Sequence, residues 1–327
     1  MNVSPEIAHA SVTTWLVGDV GATNARFGLV SPDGAVLHSN TYACADFAEI
    51  GAAIDAYLAT SGELPMPGLG ALAIAAPITG DQIRMTNHPW SFSVAALRDR
   101  LGFERLLAIN DFTAVALALP RLSAGDRMPV GDGAPVAGQP LAVLGPGSGL
   151  GVSGLIPARS GWVPVAGEGG HATMAPANER ESAVLALMRG HFDHVSAERC
   201  LSGPGLVNLY NSLAALDRVP AASYSAAQIT DPETGAKDPL CREATAMFCA
   251  MLGTFAGDLA LTLGARGGVY IAGGIVPRLG ARFAESGFRQ RFEAHGRMGA
   301  LLAAVPSYVV THPLPALLGC AAALAAA

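Results

Sequence analysis

Leu16-Val17-Gly18-Asp19-Val20-Gly21-Ala22-Thr23-Asn24 is a short apolar run that opens into a polar, glycine-bearing turn. Trp15-Leu16-Val17 before the turn and residues 25–30 after it are apolar and extended, so the segment reads as strand, tight turn, strand. The pattern recurs further along. Residues 141–144 form an apolar strand, Gly145-Pro146-Gly147-Ser148-Gly149-Leu150-Gly151 a glycine-rich turn, and residues 152–156 the returning strand. Two copies of one unit suggest two related halves facing each other across a cleft.

Working outward from the first turn, Ser31-Pro32-Asp33-Gly34 marks another turn before a third strand over residues 36–42. Residues 47–59 have helical spacing, with Phe47, Ile50, Ile54, Tyr57 and Leu58 on one side. A buried strand over 69–76, a helix over 94–101 and a strand over 105–109 complete the first half. Beyond the second turn the chain is dominated by helices, over 179–188, 204–216, 239–263, 277–286, 288–293 and 316–326. Strands are expected at 268–272 and 307–310, and residues 129–140, rich in Gly, Pro and Asp, read as a flexible loop.

A length of 327 residues favours two lobes over a single core. The composition is 51% hydrophobic and 14% charged with 39 glycines, which describes a globular α/β chain with tight turns. The net charge is −6 with no basic run, which argues against a nucleic-acid partner. Cys44, Cys200, Cys241, Cys249 and Cys320 are scattered and contain no CxxC pair, as expected for reduced, buried thiols. The first fifteen residues carry no basic stretch, and the apolar run after them is broken by Asp19. The apolar 314–327 is too short to span a bilayer and is interrupted by Pro315 and Gly319. These features place the protein in the cytoplasm with no membrane partner.

Several chemistries lack their residues. There is no GxxxxGK[ST], and Lys237 is the only lysine, so neither a lysine phosphate clamp nor a Schiff base has a candidate. There is no HExxH and no Cys/His set with zinc spacing. A GxGxxG string occurs at Gly149–Gly154, but a strand is expected after it, whereas a dinucleotide site needs a helix. Glycine-rich turns between strands let backbone N–H groups converge on phosphate oxygens without a lysine. In the first turn Asp19 suits Mg²⁺, held directly or through water, while Thr23 and Asn24 donate hydrogen bonds. Ordinary hairpin turns are the alternative for each segment taken singly.

The ordered set of blocks resembles the bacterial-type glucokinases. Residues 16–24 resemble that family's first phosphate motif and 144–151 its second, and Ile271-Ala272-Gly273-Gly274-Ile275-Val276-Pro277-Arg278 resembles its adenosine motif. Further matching blocks are Thr86–Trp90 with Phe92-Ser93, Asn110–Val115, Gly167-Glu168-Gly169-Gly170-His171, and residues 197–206. Two positions depart from the family pattern: Ala22 stands where glycine is usual and Ser148 where threonine is usual. One adds a methyl and the other keeps its hydroxyl. The scattered cysteines do not match the cysteine-rich zinc motif of the related repressor/kinase branch.

The resemblance implies an actin-like (ribonuclease H-like) α/β fold of two lobes with a cleft between. Residues 1–110 and 312–327 would form the small domain and 111–311 the large one. It implies an ATP- and Mg²⁺-dependent transfer of phosphate to the 6-hydroxyl of glucose, and a homodimer. Gly18, Asp19, Gly21, Ala22, Thr23, Asn24, Gly147, Ser148, Gly149, Gly273 and Gly274 would bind the nucleotide, with Asp19 at the metal. Asn110, Asp111, Glu168, His171 and Glu198 would bind the sugar, a set able to pair several hydroxyls. Asp111, expected at the carboxyl end of a strand, is the candidate general base.

Other roles remain open for these residues. Asp111 also suits a helix N-cap, Glu198 a helix dipole, and His171 a structural contact. The alternative functions are a kinase for another hexose and a non-catalytic sugar-sensing regulator on the same fold. A nicotinamide oxidoreductase read from the GxGxxG string is a further rival.

Overall fold

The computed structural model describes residues 13–327. The reading that no leader precedes the first strand falls mostly on residues 1–12, which lie outside the described residues. The chain divides into two compact units. The first comprises residues 13–118 with Leu314–Ala327, and the second Leu119–Pro313. The sequence reading put the boundaries before Asp111 and before His312. The division instead falls after Ala118 and after Pro313, so the helix Asp111–Ala118 belongs to the first unit. Its packing on the terminal helix Pro315–Ala326 explains this: Gly319 meets the Ala114 backbone so closely that a Cβ has no room.

In the first unit, β1 (Trp15–Val20), β2 (Asn24–Val30), β3 (Val36–Ala43) and β4 (Leu69–Ile74) join a later strand in one sheet. A hairpin of β5 (Gln82–Arg84) and β6 (Ser91–Ser93) precedes that strand, β7 (Arg105–Asn110). The sheet order is β3-β2-β1-β4-β7. β1, β2 and β3 run antiparallel, while β1, β4 and β7 run parallel. Leu16, Phe27, Leu29, Ile54, Tyr57, Leu72 and Ile74 are fully buried around it.

The second unit repeats this plan. Its strands are β8 (Arg127–Pro129), β9 (Leu141–Pro146), β10 (Leu150–Ala158), β11 (Gly161–Ala166), β12 (Gly268–Ile271) and β13 (Ser307–Val310). Their order is β11-β10-β9-β12-β13-β8. Again three antiparallel strands lead into parallel partners, here β9, β12 and β13, with β8 added antiparallel at the edge. The repeated strand, glycine turn, strand pattern in the sequence is therefore the start of a duplicated sheet topology.

The long helix Pro239–Leu263 buries Phe248, Met251, Leu252 and Ala256 in the core of this unit. Asp238 caps it through Leu240 N–H at 2.8 Å, and Gly264 ends it in a left-handed conformation (φ 62°). It is long and apolar enough to cross a membrane by composition, but half of its most apolar window is buried within the protein. The GxGxxG string leads into strand β10 rather than a helix, which removes the dinucleotide-site reading.

Some expectations shift in detail. β1 runs on through Gly18-Asp19-Val20, because these residues pair on both sides, with β2 and with β4. The first turn is therefore only Gly21-Ala22-Thr23. The helix expected over 277–286 breaks into Val276–Leu279 and Ala281–Ala284 at Gly280, whose φ is 55°. The short β5–β6 hairpin, β8 and β11 have no counterpart in the sequence reading.

Candidate active site

The parallel strands of the first unit end in register: Val20 pairs with Ile74, and Ile74 with Asn110. The turn after β1 and the Asn110-Asp111 pair after β7 thus stand on one sheet edge, two strand spacings or about 10 Å apart. It is the carboxyl edge, where α/β sheets gather ligand groups. Asn110 Oδ1 accepts from Phe112 N–H at 3.0 Å and Thr113 N–H at 3.1 Å, so Asn110 is the N-cap of the helix Asp111–Ala118. Asp111 Oδ1 accepts from Phe112 N–H at 2.9 Å. The capping role weighed for Asp111 is carried mainly by its neighbour. Asp111 stands half-buried in the first helical turn.

In the first turn, Gly21 N–H donates to Asn24 O at 2.9 Å and Cys44 N–H to Thr23 O at 2.8 Å, which leaves Thr23 and Asn24 exposed and Ala22 half-buried. Gly18 lies inside the sheet. A Cβ there would meet Leu72 at 2.6 Å and Phe27 at 3.1 Å, so packing accounts for this glycine. Asp19 lies on β1 opposite Arg26 and is half-buried. Burial pushes its carboxyl up from the usual range, against the opposing pull of Arg26. Arg26 itself donates from Nε to Thr41 Oγ1 at 3.0 Å.

A desolvated carboxylate of this kind gains from a cation. Among the described residues no group of three or more His, Cys, Asp or Glu could hold a metal. One carboxylate is nonetheless what Mg²⁺ uses when phosphate oxygens and water fill its other positions. The residues present fit an Mg²⁺ ion that arrives with a polyphosphate.

The second unit gathers the remaining candidates around the turn Gly147-Ser148-Gly149. Gly147 N–H donates to Gly149 O at 2.8 Å, and Gly203 N–H, at the start of the helix Gly203–Asp217, donates to Gly147 O at 2.8 Å. Ser148 is exposed at the tip. Ala272 N–H donates to Leu144 O at 2.8 Å, which brings the Gly273-Gly274 turn alongside. Gly273 has φ 81°, and a Cβ there would lie 2.5 Å from Pro146 O, so only glycine fits. Gly274 faces open space.

Glu168 precedes and His171 ends the short 3-10 turn Gly169–His171, which lies against β10. A Cβ on Gly169 would meet Val152 at 2.8 Å, and one on Gly170 would strike Leu150 O. The chain then pairs with the segment before Glu198, through Met174 N–H to Val195 O at 3.1 Å and Ala197 N–H to Ala172 O at 2.8 Å. His171 and Glu198 consequently share a polar cavity of about 420 Å³ with His191, Asp193, His194 and Arg199. Glu198 Oε2 also accepts from Leu150 N–H at 2.9 Å, a contact sequence reasoning missed. The spacing of Gly149 and Glu198 carries no signal for it. A second, mostly apolar cavity of about 280 Å³ follows the Gly274 segment, lined by Leu279, Arg282, Thr245, Cys241 and Cys249.

The sequence model of one family, described as Glucokinase, matches residues 16–327. The chain belongs to the glucokinase family. It is 53% identical over 307 residues to a glucokinase of Paramagnetospirillum magneticum, covering 94% of this chain and 96% of the relative. It is 50% identical over 310 residues to a glucokinase of Aromatoleum aromaticum, covering 94% of each. Among solved structures, a glucokinase from an Antarctic psychrotroph superposes with a TM-score of 0.86 at 36% identity, over 95% of this chain and 98% of that one. The fold is the actin-like α/β fold of two domains that these sugar kinases share. The five cysteines are all free and buried. Burial pushes the Cys200 thiol up to about 12 and those of Cys241 and Cys249 to about 11, leaving them unreactive.

Proposed function

We propose that this chain is an ATP-dependent glucokinase that transfers the γ-phosphoryl group of ATP to the 6-hydroxyl of glucose, the entry of the sugar to glycolysis. The observation that carries the proposal is the pairing of Asn110-Asp111 with a glycine turn and Asp19 on one carboxyl edge, in a chain of the glucokinase family.

Asp111 takes the proton from the sugar 6-hydroxyl as that oxygen attacks the γ-phosphorus, and the bond from that phosphorus to the β,γ-bridging oxygen breaks to release ADP. A positioned base of this kind contributes about 10²–10⁴ in rate. Asn110 holds Asp111 in place by fixing the first turn of its helix. Glu168, His171 and Glu198 pair the other sugar hydroxyls. The two glycine turns offer backbone N–H groups to the polyphosphate, and the start of the helix Gly203–Asp217 adds its positive end beside the second turn. Gly273-Gly274 adjoins the adenosine, whose base suits the apolar cavity beyond it. Mg²⁺ held by Asp19 supplies charge neutralisation at the phosphates when bound.

A homodimer and a cytoplasmic location complete the reading. Both rest on family resemblance, and the location also on cysteines that are all free and buried.

The test is a coupled ADP-release assay with Mg-ATP and a panel of glucose, fructose, mannose, N-acetylglucosamine and acetate, run beside Asp111→Ala. Glucose-dependent turnover that collapses in the folded variant is the expected result. Turnover on another sugar alone would move the substrate. Glucose binding without turnover would replace the kinase by a sugar sensor.

A further inference from the structure

Glu198 stands between two parts of the second unit. Its 3-10 turn, Ala197–Arg199, is fixed on both sides: Ala197 N–H donates to Ala172 O at 2.8 Å, and Ser202 Oγ donates to Glu198 O at 2.8 Å. From this base the carboxylate crosses to the glycine turn rather than to the following helix, whose start is capped instead by Ser202 Oγ on Gly205 N–H at 3.0 Å. A helix-dipole role therefore does not account for it. Its Oε2 accepts from Leu150 N–H at 2.9 Å and lies 2.5 Å from where a Cβ on Gly149 would be. Glycine at 149 thus leaves the space the carboxylate fills.

The bond matters because of what the turn has left to offer. Gly147 N–H is spent inside the turn and Leu150 N–H on Glu198. Among the described residues nothing takes the N–H groups of Ser148 and Gly149, which are the ones available to a phosphate. Their direction is set by the two ends of the turn. One end is tied by Gly203 N–H to Gly147 O, and the other by Glu198. A carboxylate has about four acceptor positions, so the Leu150 bond leaves capacity on the side that lines the polar cavity with His171.

We propose that Glu198 is a positioning residue for the Gly147–Gly149 turn, holding it in phosphate-binding shape through Leu150 N–H, in addition to any contact it makes with sugar. This rests on the reading of that turn as a nucleotide site. The role is distinct from sugar recognition, because it affects nucleotide binding when no sugar is present.

Two readouts test it: calorimetric binding of Mg-ATP without sugar, and hydrogen exchange at the Leu150 amide. Losing a charged acceptor of this kind is expected to weaken Mg-ATP binding about tenfold in Glu198→Ala and to speed Leu150 exchange by at least as much. Glu198→Gln keeps an oxygen acceptor, so both readouts stay within about twofold of wild type, while the KM for glucose rises. Should Glu198→Ala fail to fold, Glu198→Asp keeps the charge on a stem too short to reach Leu150, and it is expected to weaken Mg-ATP binding as Ala does. Wild-type Mg-ATP affinity or wild-type Leu150 protection in the Ala or Asp variant overturns the proposal. Wild-type protein that binds no Mg-ATP overturns the nucleotide reading itself, and the proposal with it.

Discussion

Gly319 of the terminal helix lies against the carbonyl of Ala114, in the space where any other residue would carry its Cβ. The contact joins the terminal helix to the helix that begins at Asp111. The next residue, Cys320, points its thiol at Gly18 O on the Asp19 strand, at 3.5 Å. One helix therefore sets the backbone beneath both Asp19 and Asp111. In Gly319→Ala, better helix propensity gains about 1 kcal/mol. The new methyl, however, meets backbone, which cannot rotate away, and overpacking of this sort costs about 1–3 kcal/mol or more. Steric cost should win. The expected result is a lower melting temperature and a kcat that falls more than the KM for glucose rises. Unchanged stability would mean that the two helices separate freely.

Asn110 and Asp111 are neighbours with separable roles. Asp111→Asn keeps an oxygen able to accept from Phe112 N–H but cannot take a proton. The expected loss in kcat is about 10²–10⁴-fold, with the melting temperature nearly unchanged. Asn110→Ala removes the acceptor for two helix N–H groups and should cost about 1 kcal/mol of stability, with a rise in the KM for glucose. Asn110→Asp, which keeps the cap oxygen, should recover the stability. Urea titrations beside steady-state kinetics distinguish these outcomes.

Glu181 and Arg291 form the most buried ion pair in the second unit. Glu181 is 2% exposed and accepts from Arg291 at 2.6 and 3.2 Å, from Ala177 N–H at 2.8 Å and from Asn178 Nδ2 at 2.9 Å. Arg291 also donates to Thr254 Oγ1 at 2.7 Å. Removing one partner strands the other charge, so Glu181→Ala and Arg291→Ala should each lose about 3–5 kcal/mol. The double variant should lose clearly less than the sum of the two. Additive losses in urea unfolding would show that the pair is not coupled.

The parts legible in the sequence were those written in local chemistry. The helices Val94–Leu101, Glu179–Met188, Pro239–Leu263 and Phe288–Glu293 carry their own spacing, and in the first three a Ser, Asn or Asp cap marks the start. The two glycine turns were legible because polar residues interrupt apolar runs. Other features depend on distant partners. Asp19 reads as a turn residue until β4 pairs beside it. β11 forms because β10 offers it an edge. Asn110 is a sugar ligand by what the family resemblance implies, whereas its capping role needs the helix start to be known to within one residue. The bond from Glu198 to Leu150 joins positions far apart in the chain, and no periodicity carries it.

Asp19 offers the sharpest pH signature. Burial raises its folded-state pKa above the unfolded value, with Arg26 opposing. For an acid shifted upward, the charged form is the disfavoured one in the folded protein. Its cost to stability is full above the raised pKa and disappears as the pH falls below the unfolded value. Asp19→Asn, isosteric and neutral, should therefore raise the melting temperature of the ligand-free protein near neutral pH, and the gain should shrink on acidification. Turnover should collapse at every pH, because the amide no longer attracts Mg²⁺. Excess Mg²⁺ with ATP should stabilise the wild type and have much less effect on the variant. Melting curves across pH, with and without Mg-ATP, measure both effects. A variant less stable than wild type near neutral pH would show instead that the Arg26 attraction outweighs burial.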